Sequence, residues 1–188
     1  RASHAPLMLT PAQQEAFDAL QQSLHEGQYR AWLLHGVTGS GKTELYLRLI
    51  EEALRMGRTA LVLVPEIALT PQTVDSFRRR LGGVVGVYHS RLSLGEKFEL
   101  WRRIAGHQTR VVIGARSALF SPMPRLGVVI VDEEHEASYK QGETPRYHAR
   151  DMAIVRAARA GAVAVLGSAT PSIESLHNAR EGKYGLLR

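Results

Sequence analysis

Short runs of β-branched residues and leucine recur along the chain, and within each run the apolar residues are nearly continuous. Strands buried on both faces of a parallel sheet have this composition, whereas strands with one solvated face alternate. The runs lie at 31–36, 59–65, 84–89, 109–115, 126–132 and 162–168, and stretches with helical spacing lie at 11–26, 42–57, 70–81, 93–106, 149–160 and 172–180. This alternation predicts an α/β fold: a mostly parallel sheet with helices on both faces and right-handed crossovers.

The length of 188 residues and a hydrophobic content of 44% are sufficient for one domain with its own core. No repeat or low-complexity linker divides the chain, so we expect residues 1–188 to form a single domain. The chain does not begin with methionine, and we expect it to be a fragment of a longer protein.

Charge and cysteine content restrict the partners and the location. Lysine and arginine outnumber the acids by 24 to 18, and this excess suits a polyanion such as nucleic acid without requiring one. The absence of cysteine excludes disulfides and thiolate metal sites and is compatible with a reducing cytoplasm, the location that we expect. No apolar run approaches the roughly 18 residues of a membrane span, so we expect no membrane partner.

The segment GVTGSGKT, residues 36–43, follows an apolar run and precedes a helical stretch, as a phosphate-binding loop must. Its glycines let successive backbone N–H groups face an anion at the helix N-terminus. Lys42 would reach the β- and γ-phosphates of ATP, and Thr43 would bind Mg²⁺. The alternative is a glycine-rich helix cap with a solvated lysine. The predicted nucleotide-binding residues of this segment are Gly36, Val37, Thr38, Gly39, Ser40, Gly41, Lys42 and Thr43.

A second acidic element follows the apolar run at 126–132. Strand ends are where such sheets place ligands, so Asp132 is expected to bind Mg²⁺ and Glu133 to polarise the attacking water. Together with Lys42 they are the predicted catalytic residues. A solvated acidic helix start is the alternative.

Further motifs resemble those of superfamily 2 helicases. The sequence DEEH at 132–135 and the sequence GSATP at 167–171 resemble motifs II and III of that superfamily. The resemblance implies that hydroxyl groups of Ser168 and Thr170 contact His135 and link hydrolysis to movement. Upstream, Gln13 lies where the superfamily often reads adenine with a glutamine, and Gln14 is a close rival for that role.

Five segments in order resemble the primosomal protein N′ family, the PriA helicases that restart bacterial replication at abandoned forks. They are LVPEIALTPQT, HSRLSLGEKFELW, VVIGARSALFSPM, VIVDEEHEASYKQ and RYHARDMA, and the resemblance runs from about Leu9 to the end. It implies the first RecA-like lobe of a 3′ to 5′ DNA helicase that uses ATP and Mg²⁺. It also implies zinc in the complete protein, although not in this chain. The implied partners are single-stranded and forked DNA, other primosome proteins and single-stranded DNA-binding protein.

In that family, PEIALT and GARSALF are motifs Ia and Ib, which touch the single strand. Side chains after several runs here offer hydroxyl and guanidinium donors to phosphate oxygens without reading bases. The predicted DNA-binding residues are Thr70, Ser90, Arg91, Arg116 and Ser117. A surface salt bridge is the alternative for the two arginines, and the segment FRRR at 77–80 is expected to be a solvated helix face.

The segment after DEEH has no clear period, and the family resemblance implies an aromatic-rich loop that couples DNA to ATP hydrolysis. Tyr139, Tyr147 and His148 offer faces on which bases can stack, with Lys140, Arg146 and Arg150 as phosphate partners. Tyr139 and Tyr147 therefore join His135, Ser168 and Thr170 as predicted coupling residues. A solvated connector is the alternative.

Two other functions stay open. One is a nucleotide kinase or another small-substrate P-loop enzyme, and the other is a nucleotide-gated DNA-binding module without catalysis, against which Glu133 argues. A complete motor of this type closes two lobes on ATP and uses an arginine of the second lobe. Because no such lobe follows Pro171, we expect residues 1–188 alone to be nearly inactive.

Overall fold

The computed structural model describes residues 7–36, 41–142 and 147–188. The helices of these ranges are α1 (Pro11–Glu26), α2 (Lys42–Arg55), α3 (Pro71–Leu81), α4 (Leu94–Ala105), α5 (Ala149–Ala160) and α6 (Ile173–Arg180). The strands are β1 (Arg30–His35), β2 (Thr59–Leu63), β3 (Val85–Tyr88), β4 (Val111–Gly114), β5 (Leu126–Val131), β6 (Lys140–Gln141), β7 (Tyr147–His148), β8 (Val163–Ser168) and β9 (Gly185–Leu187). Short 3₁₀ helices lie at Glu66–Ala68, Gly82–Val84, Arg116–Phe120 and Ala137–Tyr139.

Seven strands form one sheet in the order β3-β4-β2-β5-β8-β1-β9, and each neighbouring pair is parallel. The predicted α/β fold is therefore confirmed, and all six predicted runs are strands of this sheet. Strand β9 was not predicted. Strands β6 and β7 form a separate antiparallel pair within the segment that has no sequence period.

The sheet is covered on both faces, and consecutive strand residues alternate between them. Ala60 and Val62 pack with α1, α2 and α3, whereas Leu61 and Leu63 pack with α4, α5 and the 3₁₀ helix at 116–120. All four strand residues are fully buried. Truncating either leucine to alanine is expected to cost about 2–5 kcal/mol, because a cavity would remain in a close-packed interior.

Helix boundaries follow local capping chemistry. Thr10 caps α1 with Pro11 in the first turn, and Thr70 caps α3 with Pro71 in the same position. Ser93 and Ser172 accept backbone N–H groups at the starts of α4 and α6. These caps satisfy donors that the helix itself leaves unpaired.

Within the three described ranges, no helix combines the length and the apolar character that crossing a bilayer requires.

Because the seven strands are parallel, their carboxyl ends meet at one edge of the sheet, where ligands of α/β proteins bind. The segments that follow β5, β8 and β1 are neighbours at this edge, and so are those that follow β3, β4 and β2. The phosphate-loop segment and the DEEH segment thus share one half of the edge. The predicted DNA-binding residues share the other half.

Candidate active site

The phosphate-loop segment is anchored to the sheet edge at its first residue and leads into α2 at its other end. Gly36 donates its N–H to the carbonyl of Ser168 at 3.1 Å, and Gly41 begins α2 with φ of +81°. Lys42 is only 8% exposed, and its Nζ donates to the carbonyl of Gly36 at 2.7 Å. The lysine therefore lies inside the segment, which contradicts the alternative of a solvated lysine. Val37, Thr38, Gly39 and Ser40 lie outside the described residues.

Gln13 packs against the end of this segment. Its amide oxygen accepts from Thr10 N at 2.9 Å, and Thr10 Oγ1 accepts from Gln13 N at 3.2 Å, which forms a capping box. A Cβ on Gly41 would lie 2.5 Å from Gln13 Nε2, the end of a flexible side chain, so it is the positive φ that requires glycine here. Gln14 is exposed and donates to Asp18 at 2.8 Å. The geometry favours Gln13 over Gln14 as the nucleotide-contacting glutamine.

Asp132 directly follows β5 and is fixed by two elements. Its N–H donates to the carbonyl of Leu63 at 2.9 Å, and its Oδ1 accepts from the hydroxyl of Tyr46 at 2.7 Å. Thr43, which is exposed at the start of α2, lines with Asp132 a small cavity of about 100 Å³. The two predicted Mg²⁺ ligands therefore lie at one place.

Glu133 has a backbone conformation that side chains rarely adopt, with φ of +49°. Such conformations cost on the order of 1–3 kcal/mol and occur often at functional sites. The residues on either side hold it, because Asp132 N donates to β2 and Glu134 N donates to the carbonyl of Gly167 at 3.0 Å. The side chain is 31% exposed and lies 3.7 Å from His135 Nε2. Glu133 is thus both held in place and accessible.

His135 makes the contact that the helicase motifs imply. Its Nδ1 lies 2.6 Å from Ser168 Oγ, which also accepts the N–H of Thr170 at 3.0 Å. The other ring nitrogen, Nε2, faces Glu133. Thr170 takes part through its backbone, and its side chain is exposed. The predicted contact is present for Ser168.

Glu134 is fully buried and holds the start of α6. One carboxylate oxygen accepts from Ser172 N at 2.7 Å, and the other accepts from Ser172 Oγ at 3.0 Å and Ser175 Oγ at 2.9 Å. Arg150 Nη1 lies 3.3 Å from the same carboxylate and is its charged partner. The prediction that Arg150 binds DNA phosphate is wrong, because this arginine is only 6% exposed and is paired with Glu134 and Asp151.

Tyr139 cannot stack on bases, and that part of its predicted role is wrong. Its ring is fully buried, and its hydroxyl lies near the carbonyl of Leu63 at 3.2 Å and closer to that of Asp132, to which it donates. Burial raises the pKa of Tyr139, with a further increase from the acids of the DEEH segment, so the hydroxyl remains a donor. Tyr139 supports the backbone beneath Asp132.

Tyr147 occupies a different environment. It is half-buried, and its ring meets that of Phe120 in an edge-to-face contact with 5.5 Å between centroids. Phe120 is 58% exposed, so this pair offers an aromatic surface beside the segment. His148 caps α5 by accepting from Arg150 N at 3.1 Å. Arg146 lies outside the described residues.

The predicted DNA-binding residues all follow β2, β3 or β4, as expected, but their side chains differ in availability. Ser90 and Arg91 are exposed, and Ser117 is half-buried. Thr70 Oγ1 accepts from Thr73 N at 3.2 Å as a helix cap. Arg116 Nη1 donates to the carbonyl of Lys140 at 2.8 Å, and it forms no salt bridge with a carboxylate among the residues that the structure describes.

The arginines at the end of α3 are only partly solvated. Arg78 and Arg79 are exposed, as expected. The prediction is wrong for Arg80, which pairs with Glu44 at 3.0 Å and also with Glu51. Because both acids belong to α2, these ion pairs join α3 to the helix that follows the phosphate loop.

Comparison with known proteins shows the family to which the chain belongs. A family model described as "DEAD/DEAH box helicase" matches residues 10–179. The chain belongs to the DEAD/DEAH box helicase family. Membership in this family implies the use of ATP and Mg²⁺.

Curated relatives of this DEAD/DEAH box chain carry the description "Replication restart protein PriA". The protein from Bacillus subtilis (strain 168) is 54% identical over 182 residues, which are 97% of this chain and 23% of the relative. The protein from Haemophilus influenzae is 51% identical over 176 residues, which are 94% of this chain and 24% of the relative. The chain thus spans about a quarter of the length of these relatives. The resemblance drawn from the motifs is confirmed.

Solved structures show the same fold. A hypothetical ATP-dependent RNA helicase from Sulfolobus tokodaii matches with a TM-score of 0.64 at 19% identity, over 96% of this chain and 52% of that one. RecG bound to a three-way DNA junction matches with a TM-score of 0.66 at 23% identity, over 97% of this chain and 24% of that one. The predicted RecA-like fold is confirmed.

The described residues of this DEAD/DEAH box domain fit Mg²⁺ and a nucleotide. None of them forms a cluster of three or more His, Asp or Glu side chains of the kind that would hold a metal ion alone. Mg²⁺ is usually held by one or two protein oxygen ligands together with phosphates and waters, and Thr43 and Asp132 supply such a set. Gly41 is the N-cap of α2, so the N-terminal backbone N–H groups of this helix lie at the phosphate-loop segment.

Proposed function

We propose that this chain is the first motor lobe of an ATP-dependent DNA helicase that acts in replication restart. The observation that carries the proposal is the 2.6 Å contact between His135 and Ser168. It joins the strand-end acids beside the phosphate loop to the GSATP segment, and a small-substrate kinase has no need of such a connection. The PriA descriptions of the relatives supply the biological setting.

The nucleotide half of the edge would supply several of the groups that hydrolysis requires. Lys42 would bind the terminal phosphates, Thr43 and Asp132 would hold Mg²⁺, and Gln13 would contact the base. Bound Mg²⁺ neutralises charge on the phosphates. Glu133, accessible and held by its backbone neighbours, would accept a proton from the attacking water at its carboxylate. His135 Nε2 lies near enough to that carboxylate to orient it.

The DNA half would contact the sugar-phosphate backbone without reading sequence. Arg91 and Ser90 are exposed there, and Thr70, Arg116 and Ser117 would add donors to phosphate oxygens. The sequence assigned an aromatic surface to Tyr139, Tyr147 and His148. We propose that Tyr147 supplies it together with Phe120.

A short chain of contacts connects the two halves. Arg116 donates to the carbonyl of Lys140, and the neighbouring Tyr139 donates to the carbonyl of Asp132. Displacement of Arg116 by a DNA strand would therefore move the segment whose tyrosine supports the Mg²⁺-binding residue. We propose that His135, Ser168 and Thr170 carry the same movement to the strand end at β8.

We propose that residues 1–188 form one lobe of a longer motor, since they span about a quarter of the relatives' length. A second lobe would supply the arginine that completes the ATP site, so the lobe alone is expected to be nearly inactive. We further propose that the complete protein moves 3′ to 5′, contains zinc elsewhere and is cytoplasmic. Its proposed partners are forked DNA, other primosome proteins and single-stranded DNA-binding protein.

ATP turnover of the complete protein, measured with and without single-stranded and forked DNA, tests this function. We expect DNA to stimulate turnover and a Glu133→Gln variant to lose it while still binding nucleotide. ATP turnover that is the same with and without DNA would instead support a small-substrate P-loop enzyme. Turnover that survives Glu133→Gln would remove the catalytic role of Glu133. Nucleotide binding without turnover, with or without DNA, would support a nucleotide-gated module.

A further inference from the structure

Tyr46 lies one helical turn after Thr43 in α2, on the same side of the helix. It is 2% exposed, and its hydroxyl donates to Asp132 Oδ1 at 2.7 Å. The bond joins residues 86 positions apart in sequence, one on the phosphate-loop helix and the other at the end of β5. Both predicted Mg²⁺ ligands are therefore connected to the same tyrosine, Thr43 through the helix and Asp132 through the hydrogen bond.

The path of the tyrosine side chain depends on a glycine in a third segment. A Cβ on Gly167 would lie 1.7 Å from the Tyr46 hydroxyl oxygen and 3.2 Å from Asp132 Oδ1. Any side chain at this position would displace the hydroxyl from the carboxylate. Gly167 directly precedes Ser168, so the tyrosine lies where the phosphate-loop helix, the strand-end acid and the GSATP segment meet.

The chemistry of the bond suits a metal ligand. The buried phenol hydroxyl is a donor, and its acceptor is one oxygen of the Asp132 carboxylate. A donor fixed on Oδ1 restricts rotation of the carboxylate and leaves Oδ2 available for a cation. Hydrogen-bond partners of this kind commonly orient metal ligands in proteins, and their loss lowers metal affinity or activity about 10- to 100-fold.

We propose that Tyr46 is a positioning residue for the Mg²⁺ site, which fixes the Asp132 carboxylate relative to Thr43 and is itself accommodated by Gly167. The inference rests on the proposed function, because it requires that the site binds a nucleotide with Mg²⁺. It goes beyond that function because it identifies a tyrosine outside the motifs as the residue that orients a ligand of the metal site.

The test compares Tyr46→Phe with wild type in the complete protein, using a fluorescent ADP analogue titrated with and without Mg²⁺. The variant removes only the hydroxyl, so we expect unchanged ADP affinity without Mg²⁺. The Mg²⁺ concentration for half-maximal enhancement of ADP binding should rise about 10- to 100-fold, and kcat for ATP should fall by a similar factor. Tyr29→Phe is the matched control, because Tyr29 is half-buried and precedes β1 at the opposite edge of the sheet.

Unchanged Mg²⁺ dependence in Tyr46→Phe, beside a wild type whose nucleotide binding responds to Mg²⁺, would overturn the inference and leave the proposed function standing. A wild type with no response to Mg²⁺ would overturn both. An equal loss in Tyr29→Phe would also overturn the inference, because the effect would then be a general loss of packing.

A second variant tests the geometry without relying on the hydroxyl alone. Gly167→Ala should raise the Mg²⁺ requirement in wild type, because the new methyl group takes the place of the hydroxyl. In the Tyr46→Phe background the nearest ring atom, Cζ, is 3.0 Å from that methyl group, so the same substitution should have a much smaller effect. Equal fold-changes in the two backgrounds would contradict the proposed contact.

Discussion

Replacing Glu134 by alanine removes the acceptor at the centre of a buried polar cluster. The carboxylate is fully buried, and the Arg150 side chain that pairs with it is 8% exposed. Ser172 N, Ser172 Oγ and Ser175 Oγ would lose their acceptor at the same time. Breaking a buried ion pair from one side destabilises by up to about 3–5 kcal/mol, and Asp151, which remains 3.0 Å from Arg150 Nε, offsets part of this loss.

The loss should be concentrated at α6 and the start of α5, since the partners of Glu134 lie there. Hydrogen exchange of the complete protein, followed by mass spectrometry of peptides from 149–160 and 173–180, measures it without assuming two-state unfolding. At about 1.4 kcal/mol per tenfold, exchange should accelerate by up to roughly 10²- to 10³-fold, within the limit set by global unfolding. Peptides from 42–55, which do not contact Glu134, serve as the internal reference.

Two variants make the result specific. Glu134→Gln keeps a carbonyl oxygen that can accept from Ser172 and should restore part of the protection. Glu99→Ala removes an acid that pairs with Arg102 on the surface, where the two side chains are 51% and 57% exposed, and should leave exchange at α6 unchanged. Wild-type exchange of α6 in Glu134→Ala would refute the view that this carboxylate holds the start of the helix.

Four further outcomes are expected. Lys42→Ala should abolish ATP hydrolysis in the complete protein while much of the DNA binding remains, and near-normal turnover would contradict the phosphate-site assignment. Tyr139→Ala should reduce basal turnover and lower the thermal midpoint, because a buried aromatic residue leaves a cavity that costs about 3–5 kcal/mol, and wild-type basal turnover would argue against its support of Asp132. Phe120→Ala should leave basal turnover unchanged but reduce its stimulation by DNA, as turnover against DNA concentration will show. Arg91→Ala should weaken DNA binding equally for all sequences and reduce the slope of log affinity against log salt by about one, and an unchanged slope would exclude a phosphate contact.

The fold was predictable because its signals are local. A strand buried on both faces must be apolar at successive positions, and each of the six runs that met this condition is a strand of the sheet. Helix starts also have a local signal, because Thr10, Thr70 and Ser93 are capping residues immediately before the helices. Strand β9 has three residues and β6 and β7 have two each, which is too short for a period to emerge.

The site was predictable only where its residues are contiguous. Lys42 and Asp132 were predicted from motifs that carry their own context. The sequence left Gln13 and Gln14 as rivals, and the capping box of Thr10 and Gln13 is an observation of the structure. Tyr139 was misjudged because a tyrosine in a charged segment has the same sequence signature whether its ring is exposed or buried. Its burial is decided by β2, since its hydroxyl lies near the carbonyl of Leu63, 76 positions away. A contact between residues so far apart in the sequence produces no local sequence pattern.

The four residues of the DEEH segment show how one strand end can serve several elements. Asp132 is bonded to Tyr46 of α2, Glu134 holds α6, and His135 contacts the end of β8. Glu133, between these anchored neighbours, takes the positive φ that keeps its carboxylate accessible. Because the three neighbours are attached to different elements, a shift of any one of them changes the backbone that holds Glu133. The strained residue is therefore the point at which movement of the phosphate-loop helix, of α6 or of β8 would alter the position of the proposed general base.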